Sequence, residues 1–142
     1  MILLDTNVVS AVMASKPSLA VLAWLDAQDT DHLFLSTITI AEIGYGLRIL
    51  PEGQRRKGLE TGFRAFVARG FEHRTLSFDV AAAGHYAEIM ALRRSIGRPM
   101  SVPDAEIAAI ALANGVALGT RNLTDFEACG LDLINPFTDS WD

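Results

Sequence analysis

The chain begins Met1-Ile2-Leu3-Leu4-Asp5-Thr6-Asn7, a short apolar run that ends abruptly on an acid. A brief apolar run that stops at polar residues is typical of a buried β-strand. Ligand sites in α/β folds form outside the carboxyl ends of parallel strands, and Asp5 would lie at such an end. The opening residues therefore predict an α/β fold with a functional acid at one edge of its sheet.

The rest of the chain alternates strand and helix patterns, as βα units around a mostly parallel sheet do. Ile2 to Leu4 is the first predicted strand, and others are predicted at 32–36, 74–78, 116–119 and 131–134. Helices are predicted at 8–13, 17–28, 39–50, 54–69, 79–97 and 103–113, with a helical turn at 125–129. No repeat or linker interrupts this pattern, so we expect residues 1–142 to form one α/β domain.

Composition and charge narrow the class of protein. Of the 142 residues 50% are hydrophobic and 20% are charged, as in ordinary globular proteins. The net charge of −5 argues against a nonspecific DNA-coating protein, whose affinity depends on Lys and Arg contacts to phosphates. It leaves a nucleic-acid enzyme possible, because metal ions supply positive charge locally.

The single cysteine, Cys129, excludes an intrachain disulfide and favours a reducing compartment. No cationic and apolar leader opens the sequence. The longest uncharged stretch, 107–120, is too short to span a bilayer. We therefore expect a cytoplasmic protein without a membrane segment.

Three further acids follow apolar segments in the same way as Asp5, namely Glu42, Asp104 and Asp125. In a parallel sheet the carboxyl ends of strands and the starts of the following helices lie on one side, so these acids are expected to converge. Arg121 is the only basic residue beside any of them in the sequence. Because converging carboxylates repel one another, the pattern favours a site for Mg²⁺ or Mn²⁺.

Each acid also has a purely structural interpretation. Thr39-Ile-Ala-Glu42 and Ser101-Val-Pro-Asp104 have the spacing of a capping box at a helix start. Asn122-Leu-Thr-Asp125 is a similar motif, and Asp5 is placed to cap the helix that follows it. Taken singly, each acid is compatible with either role, and only their joint placement favours a metal site.

Over essentially its whole length the chain resembles the PIN-domain ribonucleases, and among them the VapC-like toxins with their FitB-like branch. The resemblance rests on an ordered set of motifs: Leu-Leu-Asp5-Thr6-Asn7, Thr-Ile-Ala-Glu42-Ile-Gly-Tyr-Gly, Pro-Asp104-Ala-Glu-Ile-Ala-Ala, Gly-Thr120-Arg121-Asn122-Leu-Thr-Asp125-Phe and Ile-Asn-Pro-Phe. It implies a three-layer α/β sandwich whose five-stranded parallel sheet has the order 3-2-1-4-5. It also implies Mg²⁺- or Mn²⁺-dependent cleavage of RNA, a cognate antitoxin and a homodimer.

The resemblance also implies roles for particular residues. Asp5, Glu42 and Asp104 match the family's acids directly, whereas the fourth acid stands at the position of Asn122 in some relatives and of Asp125 in others. We favour Asp125, so that these four acids are the predicted catalytic and metal-binding residues. The predicted supporting or substrate-orienting donors are Thr6, Asn7, Thr120, Arg121 and Asn122.

Two basic clusters are candidate RNA contacts. The first contains Arg48, Arg55, Arg56 and Lys57, with Arg64 and Arg69 farther along, and the second contains Arg93, Arg94 and Arg98. An ordinary solvated helix face is the simpler interpretation of both.

Two other functions compete with the nuclease. A metal-dependent phosphatase of the haloacid-dehalogenase type requires a second acid where this chain has Asn7, and a buried lysine, whereas the chain contains only Lys16 and Lys57. A catalytically degenerate PIN-like protein-binding module is the non-enzymatic alternative. Four unpaired acids count against it, because a binding module has no reason to keep them together.

Overall fold

The computed structural model describes residues 1–138, which contain one sheet of five parallel strands. The strands are β1 (Ile2–Leu4), β2 (Leu33–Ser36), β3 (Thr75–Leu76), β4 (Ala117–Gly119) and β5 (Leu133–Ile134). Their spatial order is β3-β2-β1-β4-β5, which confirms the predicted order. Residues 139–142 of the predicted domain lie outside the described residues.

Helices flank this sheet on both faces, which confirms the three-layer architecture. Within residues 1–138 they are α1 (Thr6–Met13), α2 (Leu19–Asp26), α3 (Thr37–Arg48), α4 (Gln54–Gly70), α5 (Val80–Ser95) and α6 (Val102–Asn114). Two short 3-10 turns cover Thr30–His32 and Leu123–Phe126. Among the helices of residues 1–138, none has both the length and the apolar character needed to cross a membrane.

The side chains of the central strand β1 alternate between the two faces of the sheet, and the core on each face forms a separate cluster. Leu3 is fully buried among apolar residues of α5 and α6, whereas Leu4 packs with Val8, Val9 and Leu35 on the opposite face. Successive side chains of a strand point to opposite faces, so each of these leucines belongs to a different layer of the core. Burial on both faces also explains why β1 is apolar without a polar alternation.

Capping residues explain where the predicted helix boundaries were wrong. The third helix begins at Thr37 rather than at 39, because the Ser36 hydroxyl accepts a hydrogen bond from the amide of Thr39 at 3.1 Å. The capping box predicted for Thr39 and Glu42 is therefore wrong, and Glu42 lies in the second turn of α3. The final helical turn lies at Leu123–Phe126 instead of 125–129.

Two glycines have different backbone conformations, and substitution by alanine is expected to change stability in opposite directions at the two positions. Gly115 ends α6 with φ of 63° in the left-handed region, whereas Gly62 lies inside α4 with no atom within 4 Å of an added Cβ. We expect Gly115→Ala to destabilise the fold by about 1 kcal/mol and Gly62→Ala to stabilise it by about 0.5–1 kcal/mol. Urea denaturation of both variants measures this, and equal shifts of the same sign would contradict the assigned conformations.

Candidate active site

Asp5 lies where β1 ends and α1 begins, and its carboxylate is held by groups from two elements. Its Oδ1 accepts a hydrogen bond from the amide of Thr6 at 2.8 Å, so Asp5 does cap α1. Its Oδ2 accepts hydrogen bonds from the Thr120 hydroxyl at 2.8 Å and from the side-chain Nδ2 of Asn7 at 3.2 Å. The Asp5 side chain is only 4% exposed, so these bonds fix an acid that is almost entirely buried.

Glu42 approaches the same place from α3. The Thr6 hydroxyl donates a 2.7 Å hydrogen bond to Glu42 Oε1 and lies 3.0 Å from the Thr39 hydroxyl. Thr6 therefore connects the first turn of α1 to α3, and it sets the orientation of the Glu42 carboxylate.

Asp104 lies in the first turn of α6, next to the end of β1. The Ser101 hydroxyl accepts a hydrogen bond from the amide of Asp104 at 3.3 Å, so Ser101 caps the helix as the sequence motif predicted. An acid in the first turn of a helix is favoured by the partial positive charge of that helix end.

The structure brings these three acids together in one pocket of about 530 Å³. Its other lining residues are Thr6, Asn7, Ser10, Ala11, Arg121, Asn122 and Phe137. Asp125 does not line the pocket, and its side chain is exposed. The predicted convergence is therefore observed for Asp5, Glu42 and Asp104, and not for Asp125.

The pKa values of two of these acids are shifted upward. Burial is the main reason that the pKa of Asp5 rises from its ordinary 3.8 to about 6, and the charges of Asp104 and Glu42 raise it further. The hydrogen bonds from Thr120 and Thr6 act in the opposite direction. Burial also raises the pKa of Asp104, with the charges of Asp125 and Glu42 adding to the effect, whereas the hydrogen bond with Ser101 and the charge of Arg93 act in the opposite direction.

None of the four acids forms an ion pair with a basic side chain in the described residues. Within residues 1–138, no Lys, Arg or His nitrogen lies within 4.0 Å of a carboxylate oxygen of Asp5, Glu42, Asp104 or Asp125. Asp5 is buried and Glu42 and Asp104 are half-buried, and carboxylates without an ion-pair partner are the donor set that hard divalent cations prefer. The chemistry of the pocket thus fits Mg²⁺ or Mn²⁺.

The carboxylates do not, however, form a complete ligand cage. Across the described part of the chain, no three His, Cys, Asp or Glu side chains are grouped so that they could hold a metal ion by themselves. A cation in this pocket would therefore need a shift of these side chains, or water molecules as additional ligands. Coordination largely by water is usual for Mg²⁺.

The predicted supporting donors surround the acids. Thr120 bonds Asp5 and accepts a hydrogen bond from the amide of Asn122 at 3.1 Å. The amide of Arg121 donates to Asn7 Oδ1 at 3.2 Å, and the Arg121 guanidinium lies 4.8 Å from the centre of the Phe137 ring. Arg121 therefore lines the pocket with its guanidinium over the Phe137 ring and without an ion pair to the acids.

The candidate RNA contacts differ in whether their charges are paired with acidic side chains. Arg48 and Arg56 both face Glu60, at 3.6 Å and 3.4 Å, and Arg56 also lies 4.0 Å from Glu52. Arg55 lines a groove that shares Thr6, Ser10 and Glu42 with the acid pocket. Lys57 lies farther along α4, beside Glu52, Gly53 and Gln54.

The second basic cluster was partly misinterpreted from the sequence. Arg93 is 4% exposed, so it cannot line a surface path for RNA. Sequence reasoning also missed Ser10 and Phe137 as pocket residues. Ser10 follows Thr6 by one helical turn, a spacing that was available as a signal, whereas the position of Phe137 depends on how the chain returns after β5.

Comparison with known proteins gives a family match over most of the chain. Residues 2–128 match the PIN domain model. The VapC ribonuclease Y4jK of Sinorhizobium fredii is 43% identical over 96% of this chain and 98% of its own length. The toxin FitB of Neisseria gonorrhoeae is 34% identical over 98% of this chain and 100% of its own length.

Among solved structures, the crystal structure of FitAcB from Neisseria gonorrhoeae has the same fold. It superposes with a TM-score of 0.92 at 33% identity, covering 98% of this chain and 100% of the matched chain. The sheet and helices described above are therefore those of a known architecture.

The raised pKa of Asp5 predicts a pH-dependent stability. Asp5 binds its proton more tightly when folded, so the folded state holds more protons between pH 3.8 and about 6, and stability falls as the pH rises through this range. With a chelator present, wild type should lose up to about 3 kcal/mol between pH 4 and pH 7 relative to Asp5→Asn. Urea midpoints across this range measure the difference, with Glu88→Gln on the exposed face of α5 as control. A difference that does not change with pH would contradict the assignment.

Proposed function

Because this chain belongs to the PIN domain family, we propose that it is a ribonuclease that requires Mg²⁺ or Mn²⁺ and acts as the toxin of a toxin-antitoxin pair. The observation that carries this proposal is the meeting of Asp5, Glu42 and Asp104 in one pocket without a cationic partner. The names of two relatives, a VapC ribonuclease and the toxin FitB, support the substrate and the biological role.

Asp5 and Asp104 would be the main ligands of the cation, and Glu42 would ligate it or orient the attacking water. Asp125, outside the pocket, would hold a second ion or a water molecule of its hydration shell. When bound, the cation lowers the pKa of a water molecule and neutralises charge that grows on the phosphate.

The residues around the acids do the positioning. Thr120, Asn7 and the amide of Thr6 fix the Asp5 carboxylate, and the Thr6 hydroxyl fixes Glu42. Carboxylates held in this way need only small shifts or bridging water molecules to take up a cation, which favours preorganised electrostatic catalysis. Because protonated Asp5 is a poor ligand, its pKa of about 6 in the metal-free protein implies that a cation must displace a proton there, so cation affinity increases as the pH rises through this value.

We propose that the RNA strand leaves the acid pocket along the groove that contains Arg55. The groove shares Thr6, Ser10 and Glu42 with the pocket, so a strand whose phosphate lies at the acids would continue into it. Arg55 would contact a neighbouring phosphate there, whereas Arg48 and Arg56 are engaged with Glu60.

We further propose a cognate antitoxin as partner, a homodimer as the assembly and the cytoplasm as the location. Two exposed apolar side chains at the end of α3 support a protein partner. Tyr45 and Ile49, one helical turn apart, are 70% and 66% exposed, and contact with a partner would remove them from water.

Loss of either main acid tests the proposed chemistry. We expect Asp5→Asn and Asp104→Asn to reduce Mg²⁺- or Mn²⁺-dependent cleavage of small RNAs by about 100-fold or more, and a chelator to abolish it. Glu88→Gln, an exposed acid on α5, is the matched control and should keep full activity. The assay follows product formation on gels with purified, folded protein.

Two results would reject this proposal. Cleavage that survives in both variants would mean that the acids do not act, or that a contaminant cleaves the RNA. A folded wild-type protein that cleaves no RNA with either metal would favour the protein-binding module instead.

The proposed RNA path predicts an uneven effect of the basic residues. In the Asp104→Asn background, where RNA is bound but not cut, Arg55→Ala should raise the Kd for single-stranded RNA by about 3- to 10-fold and reduce its salt dependence. Lys57→Ala, which changes the same charge farther from the pocket, should have a smaller effect. Equal effects of the two substitutions in fluorescence anisotropy titrations would contradict this path.

A further inference from the structure

Arg93 is a buried cation that the proposed reaction does not use. It lies in the last turn of α5 with 4% of its surface exposed. Within residues 1–138, no carboxylate oxygen lies within 4.0 Å of its guanidinium nitrogens. A buried charge is costly unless hydrogen bonds compensate it, so the contacts of this side chain indicate its purpose.

Those contacts are mainly hydrogen bonds to backbone carbonyls of residues 125–127, a segment distant in sequence. Arg93 Nη1 donates to the carbonyl of Asp125 at 2.8 Å and to the carbonyl of Glu127 at 2.9 Å. Its Nε donates to the carbonyl of Arg98 at 2.7 Å. The planar guanidinium therefore joins the end of α5 to the segment that follows β4, a geometry that a lysine ammonium does not reproduce.

The segment has little hydrogen bonding of its own. The 3-10 turn Leu123–Phe126 has no side-chain cap at Asn122, and its backbone bonds run from the amide of Asp125 to the carbonyl of Asn122 at 3.1 Å and from the amide of Glu127 to the carbonyl of Thr124 at 3.4 Å. Phe126 is 1% exposed and anchors the turn in the core beside α6. Phe126 holds the turn against the core, and Arg93 holds the carbonyl groups of the residues before and after Phe126.

The turn carries Asp125 with its side chain exposed to solvent. Helix α6 packs against this turn, and its first turn carries Asp104. The charge of Asp125 raises the pKa of Asp104 and the charge of Arg93 lowers it, so both side chains lie close enough to act on this acid. A shift of the turn would therefore move the Asp125 carboxylate relative to the acid pocket.

Arg98 strengthens the same connection from the surface. Its Nη2 donates to the carbonyl of Thr124 at 3.0 Å, and its Nη1 lies 3.1 Å from Glu127 Oε2. Its side chain is 44% exposed, so its bonds compete with water more than those of Arg93 do. Arg94, between the two, is exposed and provides a neighbouring arginine for comparison.

We propose that Arg93 is a positioning residue, which holds the carbonyls of Asp125 and Glu127 and so keeps the Asp125 carboxylate in place beside the acid pocket. This inference rests on the proposed function for its effect on cleavage. Its structural part, the hold on the turn, can be measured without RNA.

Four variants of the full chain test the effect on cleavage: Arg93→Lys, Glu88→Gln, Asp125→Asn and the double variant of Arg93→Lys with Asp125→Asn. We expect Arg93→Lys to lower kcat about 10-fold with KM unchanged, and Glu88→Gln, at an exposed position on the same helix, to leave both values unchanged. In the Asp125→Asn background, Arg93→Lys should lower kcat no further, because the carboxylate that it positions is already lost. Equal losses in the two backgrounds, or full activity of Asp125→Asn, would overturn the proposal.

Hydrogen exchange provides the readout that does not depend on activity. In metal-free protein, Arg93→Lys should speed amide exchange of residues 123–127 about 10-fold or more while α6 remains protected, and Arg94→Lys should not. Arg98→Gln, an exposed substitution that the fold should tolerate, should speed exchange of the same amides to a smaller extent. Unchanged exchange in both Arg93→Lys and Arg98→Gln would overturn the proposal even if RNA cleavage is confirmed.

A third measurement separates this inference from the proposed function. If the wild-type protein cleaves no RNA, Mn²⁺ titration of the same four variants replaces the kinetic cycle. Weaker Mn²⁺ binding by Arg93→Lys that disappears in the Asp125→Asn background would support the positioning role without the nuclease. Identical Mn²⁺ binding by all four variants would reject it.

Discussion

The burial of one carboxylate at the end of the central strand is the constraint on which the site depends. Asp5 completes β1, caps α1 and accepts the hydroxyl of Thr120 from the end of β4. Its own amide donates to the carbonyl of Gly119 at 2.8 Å. Two strands and a helix are therefore joined at a group that would be costly to bury without these donors.

The strand order determines which other acids reach this group. Because β1 lies between β2 and β4, the helix after β2 brings Glu42 from one side and the helix before β4 brings Asp104 from the other. Their mutual repulsion adds to burial in raising the pKa of Asp5. The same proximity that makes the pocket unfavourable for bare carboxylates makes it suitable for a divalent cation.

The arginines of the chain have different roles that charge alone does not distinguish. Arg55 lies open beside the pocket, Arg56 is engaged with Glu60, and Arg93 is enclosed by carbonyl groups. The chain places cations near the acids without pairing them to the acids, so the charge of the pocket remains negative. A site for a metal ion and a phosphate requires this arrangement, because a salt bridge would neutralise the ligands.

The sequence by itself determined the α/β class and, through its family resemblance, the strand order, because hydrophobic period and polarity breaks are local properties. It also determined the meeting of Asp5, Glu42 and Asp104, because right-handed βα connections bring strand ends and helix starts to one side of a parallel sheet. It did not determine that Ser36 rather than Thr39 begins α3, since both hydroxyls fit a capping motif. Only the tertiary structure decided that Arg93 is buried, that Asp125 lies outside the pocket and that Phe137 lines it. These positions depend on how segments far apart in the chain pack against each other, and no spacing in the sequence encodes that packing.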